Sequence, residues 1–245
     1  MDQEKLVIVT GASRGIGFFI TQELLKKGFK IHMIADQEKR LKEAQIKLKQ
    51  HGNVVYSVLN LSAREQIKDF CDQWKQEIFG LVNNAGRWAE ERIDEPDKNT
   101  WDPIMKLNVE GPYFLTKGLQ RWIVDNGRII NIASQLGTSG RAGMGAYAAS
   151  KHAVIGLTRC WALELGTRAI TVNAVCPGWI NTESNQVEIK EWAEKEGLSL
   201  EDKIKEIADP LTLHRFIEPE EVASLVGFLI GSTGSGITGQ VYEIK

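Results

Sequence analysis

Short apolar runs alternate with longer amphipathic ones along the whole chain. Strand-like runs rich in β-branched residues occur at 6–9, 30–35, 54–59, 80–82, 128–133, 169–175 and 240–244. Several are apolar at successive positions, as in strands buried on both faces of a parallel sheet. Helical patterns fill 16–27, 37–50, 100–122, 145–165 and 219–230. Thr100 is placed to cap the third of these, with Pro103 tolerated in its first turn, and Pro219 takes a first helical position. Ser62-Ala-Arg-Glu65 predicts a capping box opening a further helix. The alternation predicts right-handed βαβ crossovers and one doubly wound α/β domain over residues 1–245, a seven-stranded parallel sheet with helices on both faces. Ligands of such sheets bind beyond the carboxyl ends of the strands. Residues 181–218 break the rhythm: they are polar, charged and only partly helical. Their length predicts a substrate lid at about 182–217, with a plain surface excursion as the alternative.

Composition narrows the picture. The 245 residues, 42% hydrophobic and 25% charged, supply the core of one large domain. A net charge of −2 gives no basic field for nucleic acid or anionic membrane. No apolar run approaches the roughly 20 residues that span a bilayer. The N-terminal MDQEKLVIVTG has no basic region followed by a long apolar stretch, so no signal peptide is expected. Cys71, Cys160 and Cys176 show no metal-ligand pattern; they are expected as buried free thiols in a reducing cytoplasm, with no metal bound.

Candidate chemistry begins at Thr10-Gly-Ala-Ser-Arg-Gly-Ile-Gly17, between the first strand and the first helix. Gly11 permits the tight turn, while Gly15 and Gly17 let backbone and helix approach a ligand and the sheet. Open N–H groups at the helix N-terminus favour a phosphate. The spacing, G-x3-G-x-G, differs from the common dinucleotide fingerprint. Further on, Tyr147-Ala-Ala-Ser-Lys151 places a phenol and an ammonium one helical turn apart on one face. In isolation such a pair reads as a snorkelling surface pair.

Together with Asn83-Asn-Ala-Gly86, Ser134 and Pro177-Gly178, which follow the fourth, fifth and sixth strands, and with Asn108 in the long helix, these motifs resemble the short-chain dehydrogenase/reductase family. The layout is similar to that of its 3-oxoacyl-thioester reductases. The resemblance covers nearly the whole chain, and the family's spacing of thirteen residues separates Ser134 from Tyr147. It implies an enzyme that moves a hydride between a nicotinamide and a carbonyl or alcohol carbon of a small molecule. It implies Asn108, Ser134, Tyr147 and Lys151 as the catalytic set. Tyr147 would be the acid/base, and Lys151 would lower the phenol pKa and bind the nicotinamide ribose. Ser134 would orient the substrate oxygen, and Asn108 would hold a water relaying protons from the lysine. Cofactor contacts are expected from Gly11, Ser13, Arg14, Gly15, Ile16, Gly17, Asp36, Asn60, Leu61, Asn84, Ala85, Gly86, Tyr147, Lys151, Pro177, Gly178, Ile180 and Thr182.

Two signals compete over the cofactor. Asp36 can hydrogen-bond adenosine ribose hydroxyls and favour NAD. Arg14 suits a 2′-phosphate and favours NADP. Ala35 occupies the usual acidic position, one residue before Asp36, so NADP is expected slightly ahead of NAD. Trp88, Gln135, Leu136, Met144 and Trp179 are expected to line the substrate pocket. Arg87 or Arg141 could hold a substrate carboxylate or phosphate, although each reads more simply as a solvated loop residue. A sugar, polyol or hydroxy-acid dehydrogenase is the alternative to a ketone or ketoacyl reductase. A nucleotide-sensing binding protein is the rival from another class, and an intact acid/base pair argues against it. A homodimer or homotetramer through helices at 101–122 and 145–165 is expected, although the chain stops at Ile244-Lys245 without the Asp-Gly-Gly tail of many members.

Overall fold

Alternate side chains of the first strand, β1 (Leu6–Thr10), enter opposite sides of a sheet. Val7 and Val9 join one core cluster and Leu6 and Ile8 the other. A strand covered on both faces is apolar throughout, which is why LVIVT lacks polar alternation. The computed structural model describes residues 5–245. The leader-free reading of MDQEKLVIVTG draws on residues 1–4, which lie outside the described residues.

The other strands are β2 (Lys30–Ala35), β3 (Val54–Val58), β4 (Ile78–Asn83), β5 (Ile123–Ile132), β6 (Thr171–Pro177) and β7 (Val241–Ile244). All pair in parallel in the order β3-β2-β1-β4-β5-β6-β7. The predicted doubly wound sheet is therefore the observed one. Strand order reverses between β1 and β4, and the crevice opens beyond their carboxyl ends. The helices are α1 (Gly15–Lys26), α2 (Glu38–Leu48), α3 (Arg64–Gln73), α4 (Trp101–Met105), α5 (Gly111–Leu119), α6 (Gly145–Leu165), α7 (Glu183–Glu196), α8 (Leu200–Ala208) and α9 (Pro219–Ile230). Ile20, Leu24, Leu41, Val222 and Val226 bring α1, α2 and α9 onto one face. Ile67, Leu115, Leu119 and Trp161 bring α3, α5 and α6 onto the other. Each fully buried aliphatic side chain contributes about 1.5–3 kcal/mol.

Several local expectations are corrected. The capping box at Ser62 does not form: the N-cap of α3 is Ala63, without a side-chain cap. Asn60 intervenes, its Oδ1 accepting the Ser62 N–H at 2.9 Å, so the turn closes around Asn60. Thr100 does precede α4, but its hydroxyl donates to Glu91 at 2.9 Å and caps nothing. The helix expected over 100–122 is interrupted by a π turn at Lys106–Glu110. Pro112 has no N–H to return to the Asn108 carbonyl, so the α-ladder cannot pass straight through. Strand β6 begins later than expected because Ala169 is left-handed, at φ 53°. Cys71 and Cys176 are buried as expected, but Cys160 is exposed.

The 181–218 segment folds as α7 and α8 around a small core of Ile189, Ala208 and Phe216. Its ends are pinned together by pairing of Ile180 with Ile217 and by Asn181 Nδ2 donating to Glu218 at 3.0 Å. No helix among the described residues is long and apolar enough to cross a membrane.

Candidate active site

The glycine-rich turn is locked to β4 by backbone and amide contacts. Asn84 Nδ2 donates to the Thr10 carbonyl at 2.8 Å, and its backbone N–H donates to Thr10 Oγ1 at 2.9 Å. A Cβ on Gly17 would stand 2.5 Å from Asn84 Nδ2 and closer still to the Gly11 oxygen. Gly11 and Gly15 are left-handed, at φ 62° and 53°. Glycine is thus required here by packing and by conformation. Arg14 is the N-cap of α1, and no side chain caps that helix, so its first N–H groups face the crevice.

One cleft of about 870 Å³ runs across the carboxyl edge of the sheet. Every expected cofactor residue lines it except Gly17, which lies beneath the turn. Ser134, Tyr147 and Lys151 line it too, as do Trp88, Gln135, Leu136, Met144 and Trp179. The cradle of small residues, the open helix N-terminus and the cleft's length suit a dinucleotide. Gly86 forms part of the same fit, because a Cβ there would crowd Asn108 Oδ1 at 3.3 Å and Lys151 Nζ at 3.5 Å.

Helix α6 carries both Tyr147 and Lys151, as the one-turn spacing predicts. Lys151 is buried, with Nζ donating to the Ile132 carbonyl at 2.9 Å and lying 5.6 Å from the centre of the Tyr147 ring. Burial lowers its pKa to about 8. The expectation that Lys151 depresses the phenol pKa is corrected. Burial raises the Tyr147 pKa, and the opposing pull comes from a hydrogen bond with Ser134. The lysine faces the Tyr147 ring and the Ile132 carbonyl. Behind it, burial pushes the Cys176 thiol up to about 11 and keeps it neutral.

Asn108 sits in the π turn, behind Gly86 and outside the cleft lining. Its Oδ1 accepts from Arg87 N–H at 2.8 Å, and its Nδ2 donates to the Arg87 carbonyl at 2.8 Å and to Ser150 Oγ at 3.0 Å. Ser150 Oγ in turn donates to the Tyr147 carbonyl at 2.7 Å. The amide is therefore committed to positioning the loop after β4 against α6. Ser150 was not singled out from the sequence, and only this contact marks it.

Other lining residues were missed as well. Arg40, at the start of α2, borders the cleft beside Asp36 and Gln37. Arg14 Nη1 donates across the cleft mouth to Ser184 Oγ of α7 at 3.1 Å. Trp192, on the same helix, meets Trp88 edge-on at 6.1 Å and Trp179 edge-on at 6.0 Å; Trp179 stacks on Phe216 at 5.8 Å. Trp192 lies in the 181–218 stretch that reads as polar and charged. The pattern Ile189, Trp192, Ala193 was the available signal for an inward stripe. Among the described residues no group of three or more His, Cys, Asp or Glu could hold a metal.

The family model described as short chain dehydrogenase matches residues 5–193. The 3-oxoacyl-(acyl-carrier-protein) reductase FabG of Thermotoga maritima is 34% identical, covering 98% of this chain and 96% of that protein. The D-beta-hydroxybutyrate dehydrogenase of Cupriavidus necator is 31% identical over the same shares. Among solved structures, a variant of actinorhodin polyketide ketoreductase with NADPH superposes with a TM-score of 0.91 at 30% identity, covering 100% of this chain and 97% of that one. L-sorbose reductase from Gluconobacter frateurii, complexed with NADPH and L-sorbose, gives 0.92 at 27% identity, covering 99% and 95%.

Proposed function

The chain belongs to the short-chain dehydrogenase family and is an NAD(P)-dependent oxidoreductase; from that premise we propose that it reduces the carbonyl of a small molecule, with Tyr147 as proton donor. The observation that carries the direction is the half-buried seat of Tyr147 in the cleft, where desolvation holds the phenol above its usual range and so protonated at neutral pH. When bound, the reduced nicotinamide supplies the hydride. The carbonyl oxygen then needs a proton, and a protonated phenol has one to give. Ser134 orients that oxygen through Oγ and steadies its developing charge. Lys151, with a pKa of about 8, exchanges protons near neutrality and returns one to the phenol. Asn108 positions rather than relays through its side chain. Any water it holds rests on its main-chain carbonyl, to which Pro112 offers no N–H.

The cofactor is held by the glycine-rich turn from Gly11 to Gly17, by Asp36, Asn60 and Leu61, by Asn84–Gly86, and by Pro177, Gly178, Ile180 and Thr182. NADP is preferred in this reading, because Arg40 borders the cleft beside Asp36, Arg14 stands at the cleft mouth, and a guanidinium suits a 2′-phosphate. The similar polyketide and sorbose reductases were both solved with NADPH. Residues 182–217 act as the lid, carrying Trp192 over the substrate. The substrate is a ketone or 3-oxoacyl thioester, the chemistry of the 3-oxoacyl reductase relatives. The enzyme works in the cytoplasm as a homodimer or homotetramer, and exposed Trp101 and Leu163 on α4 and α6 supply apolar surface for that contact.

The test mixes purified protein with NADPH or NADH and a panel of ketones and thioesters, and follows absorbance of the reduced cofactor. Tyr147→Phe should cut turnover by roughly 10²–10⁴-fold while cofactor affinity holds. Turnover that survives in Tyr147→Phe would remove the phenol from the reaction. Cofactor binding without turnover across the panel would favour the sensor reading.

A further inference from the structure

We infer that the substrate carries an anionic group on an apolar or aromatic body, and that Arg141, laid on Trp179, is the residue that holds the anion. The inference rests on the cleft being the substrate site proposed above, and it adds the chemistry that this site selects.

Arg141 lines the cleft together with Tyr147 and Ser134. Its guanidinium lies 5.4 Å from the centre of the Trp179 ring. Among the described residues no carboxylate forms an ion pair with it. Stacking on an indole fixes the plane of a guanidinium and leaves its edge donors free. A fork of free donors beside a cavity suits a carboxylate or phosphate bidentately. Trp179 is itself held in place, stacked on Phe216 and edge-on to Trp192.

The acids lining the cleft do not cancel this cation. Glu188 projects from α7 on the Arg14 side, where burial raises its pKa, Glu191 adds to that and Arg14 pulls it back. Glu90 packs under Gly143, its Cγ 2.9 Å from where a Cβ would stand, and makes no ion pair with Arg141. Arg87 adds a second cation to the cleft lining, its backbone clamped by Asn108. Trp88, Trp179, Trp192 and Met144 supply the apolar wall. Arg141 also borders a second cavity of about 380 Å³, lined by Trp101 and Ile93. The anion-holding residue therefore stands where the cleft opens towards further apolar surface.

The anion has two sources, a carboxylate on a small ketone or a phosphate on the carrier arm of a thioester. Two matched pairs separate them: an aryl oxo-carboxylate against its methyl ester, and a 3-oxoacyl coenzyme A thioester against the N-acetylcysteamine thioester. Because three tryptophans border the site, quenching of their fluorescence with cofactor present reports binding independently of turnover. The anionic member of at least one pair should bind at least about tenfold more tightly than its neutral partner. Arg141→Gln should collapse that ratio towards one, and Arg141→Lys should restore part of it. Equal binding within both pairs, or a ratio that survives Arg141→Gln, overturns the inference. Absent turnover with the ratio intact would sink the reductase reading instead and leave the anion site standing.

Discussion

Replacing Lys151 by methionine should make the protein more stable and abolish its activity. The ammonium keeps its proton to pH 10.5 in the unfolded chain but only to about pH 8 in the folded one. Between those values the unfolded chain binds more protons, so stability rises with pH through that window. Below about pH 8 the full penalty applies. At about 1.4 kcal/mol per tenfold change in proton affinity, it amounts to about 3 kcal/mol. Methionine removes the buried charge and keeps an unbranched side chain. The lost bond from Nζ to the Ile132 carbonyl, 2.9 Å long, offsets about 1–2 kcal/mol of the gain. The net is about 1–2 kcal/mol at pH 7, a rise of a few degrees in Tm for a chain of this size. Thermal unfolding of wild type and Lys151→Met at pH 7 and pH 10 measures it. The variant should melt higher at pH 7, and its advantage should narrow or reverse by pH 10 as the native lysine sheds its proton. A variant that melts lower at pH 7, or a gap insensitive to pH, would refute the view of Lys151 as a strained cation retained for chemistry.

Gly17→Ala should destroy cofactor binding and cost about 1–3 kcal/mol, because the new Cβ meets the Gly11 oxygen and Asn84 and the backbone there cannot yield; unchanged NADPH affinity by fluorescence titration would contradict the packing argument. Arg14→Ala and Arg40→Ala should each weaken NADPH more than NADH, by about tenfold or more for a lost charged contact; equal losses for both cofactors would remove the phosphate reading. His32 is half-buried beside Trp74, with its ring nitrogen 2.8 Å from Ser57 Oγ, and desolvation together with Lys30 lowers its pKa to about 4. The unfolded chain takes up a proton below pH 6.5 that the folded one refuses until about 4, so up to about 3 kcal/mol of stability should be lost across that interval. Urea midpoints measured against pH should show this fall in wild type and a shallower one in His32→Gln.

Much of the architecture could be read from the chain because it rests on local periodicity. LVIVT and TVNAV are runs of strand length rich in β-branched residues, and α6 and α9 carry their pattern from end to end within the predicted bounds. The site residues came from the family resemblance, and the alternation of strands and helices put Ser134, Asn84–Gly86 and Pro177-Gly178 on one sheet edge. What escaped depends on contacts distant in sequence. Thr100 is a good cap by type, yet Glu91 takes its hydroxyl. Ser62 fits a capping box, yet Asn60 closes the turn first. Pro112 was visible, but its effect lay four residues back at Asn108, in a helix whose pattern read as unbroken. Trp192 stood among four charged neighbours, and its turn towards Trp88 and Trp179 was signalled only by the short stripe it forms with Ile189 and Ala193.

The reversal at Tyr147 has a deeper cause. An ammonium one turn from a phenol attracts its ionised form, and by that pairwise view the phenol should be the stronger acid. Both groups, however, lie in the same desolvated pocket, where burial penalises every charge before any pair forms. It raises the phenol and lowers the amine, so two nearly equal proton affinities separate, with the phenol now the tighter holder. That order suits a proton-passing pair, since a phenolate left after donation takes a proton from the weaker-holding ammonium downhill. The lysine's contribution is then its readiness to give up a proton near neutral pH, more than the field of a fixed positive charge. That readiness depends on depth in the fold. A Tyr-x3-Lys pair on a surface helix would carry the same letters with neither shift.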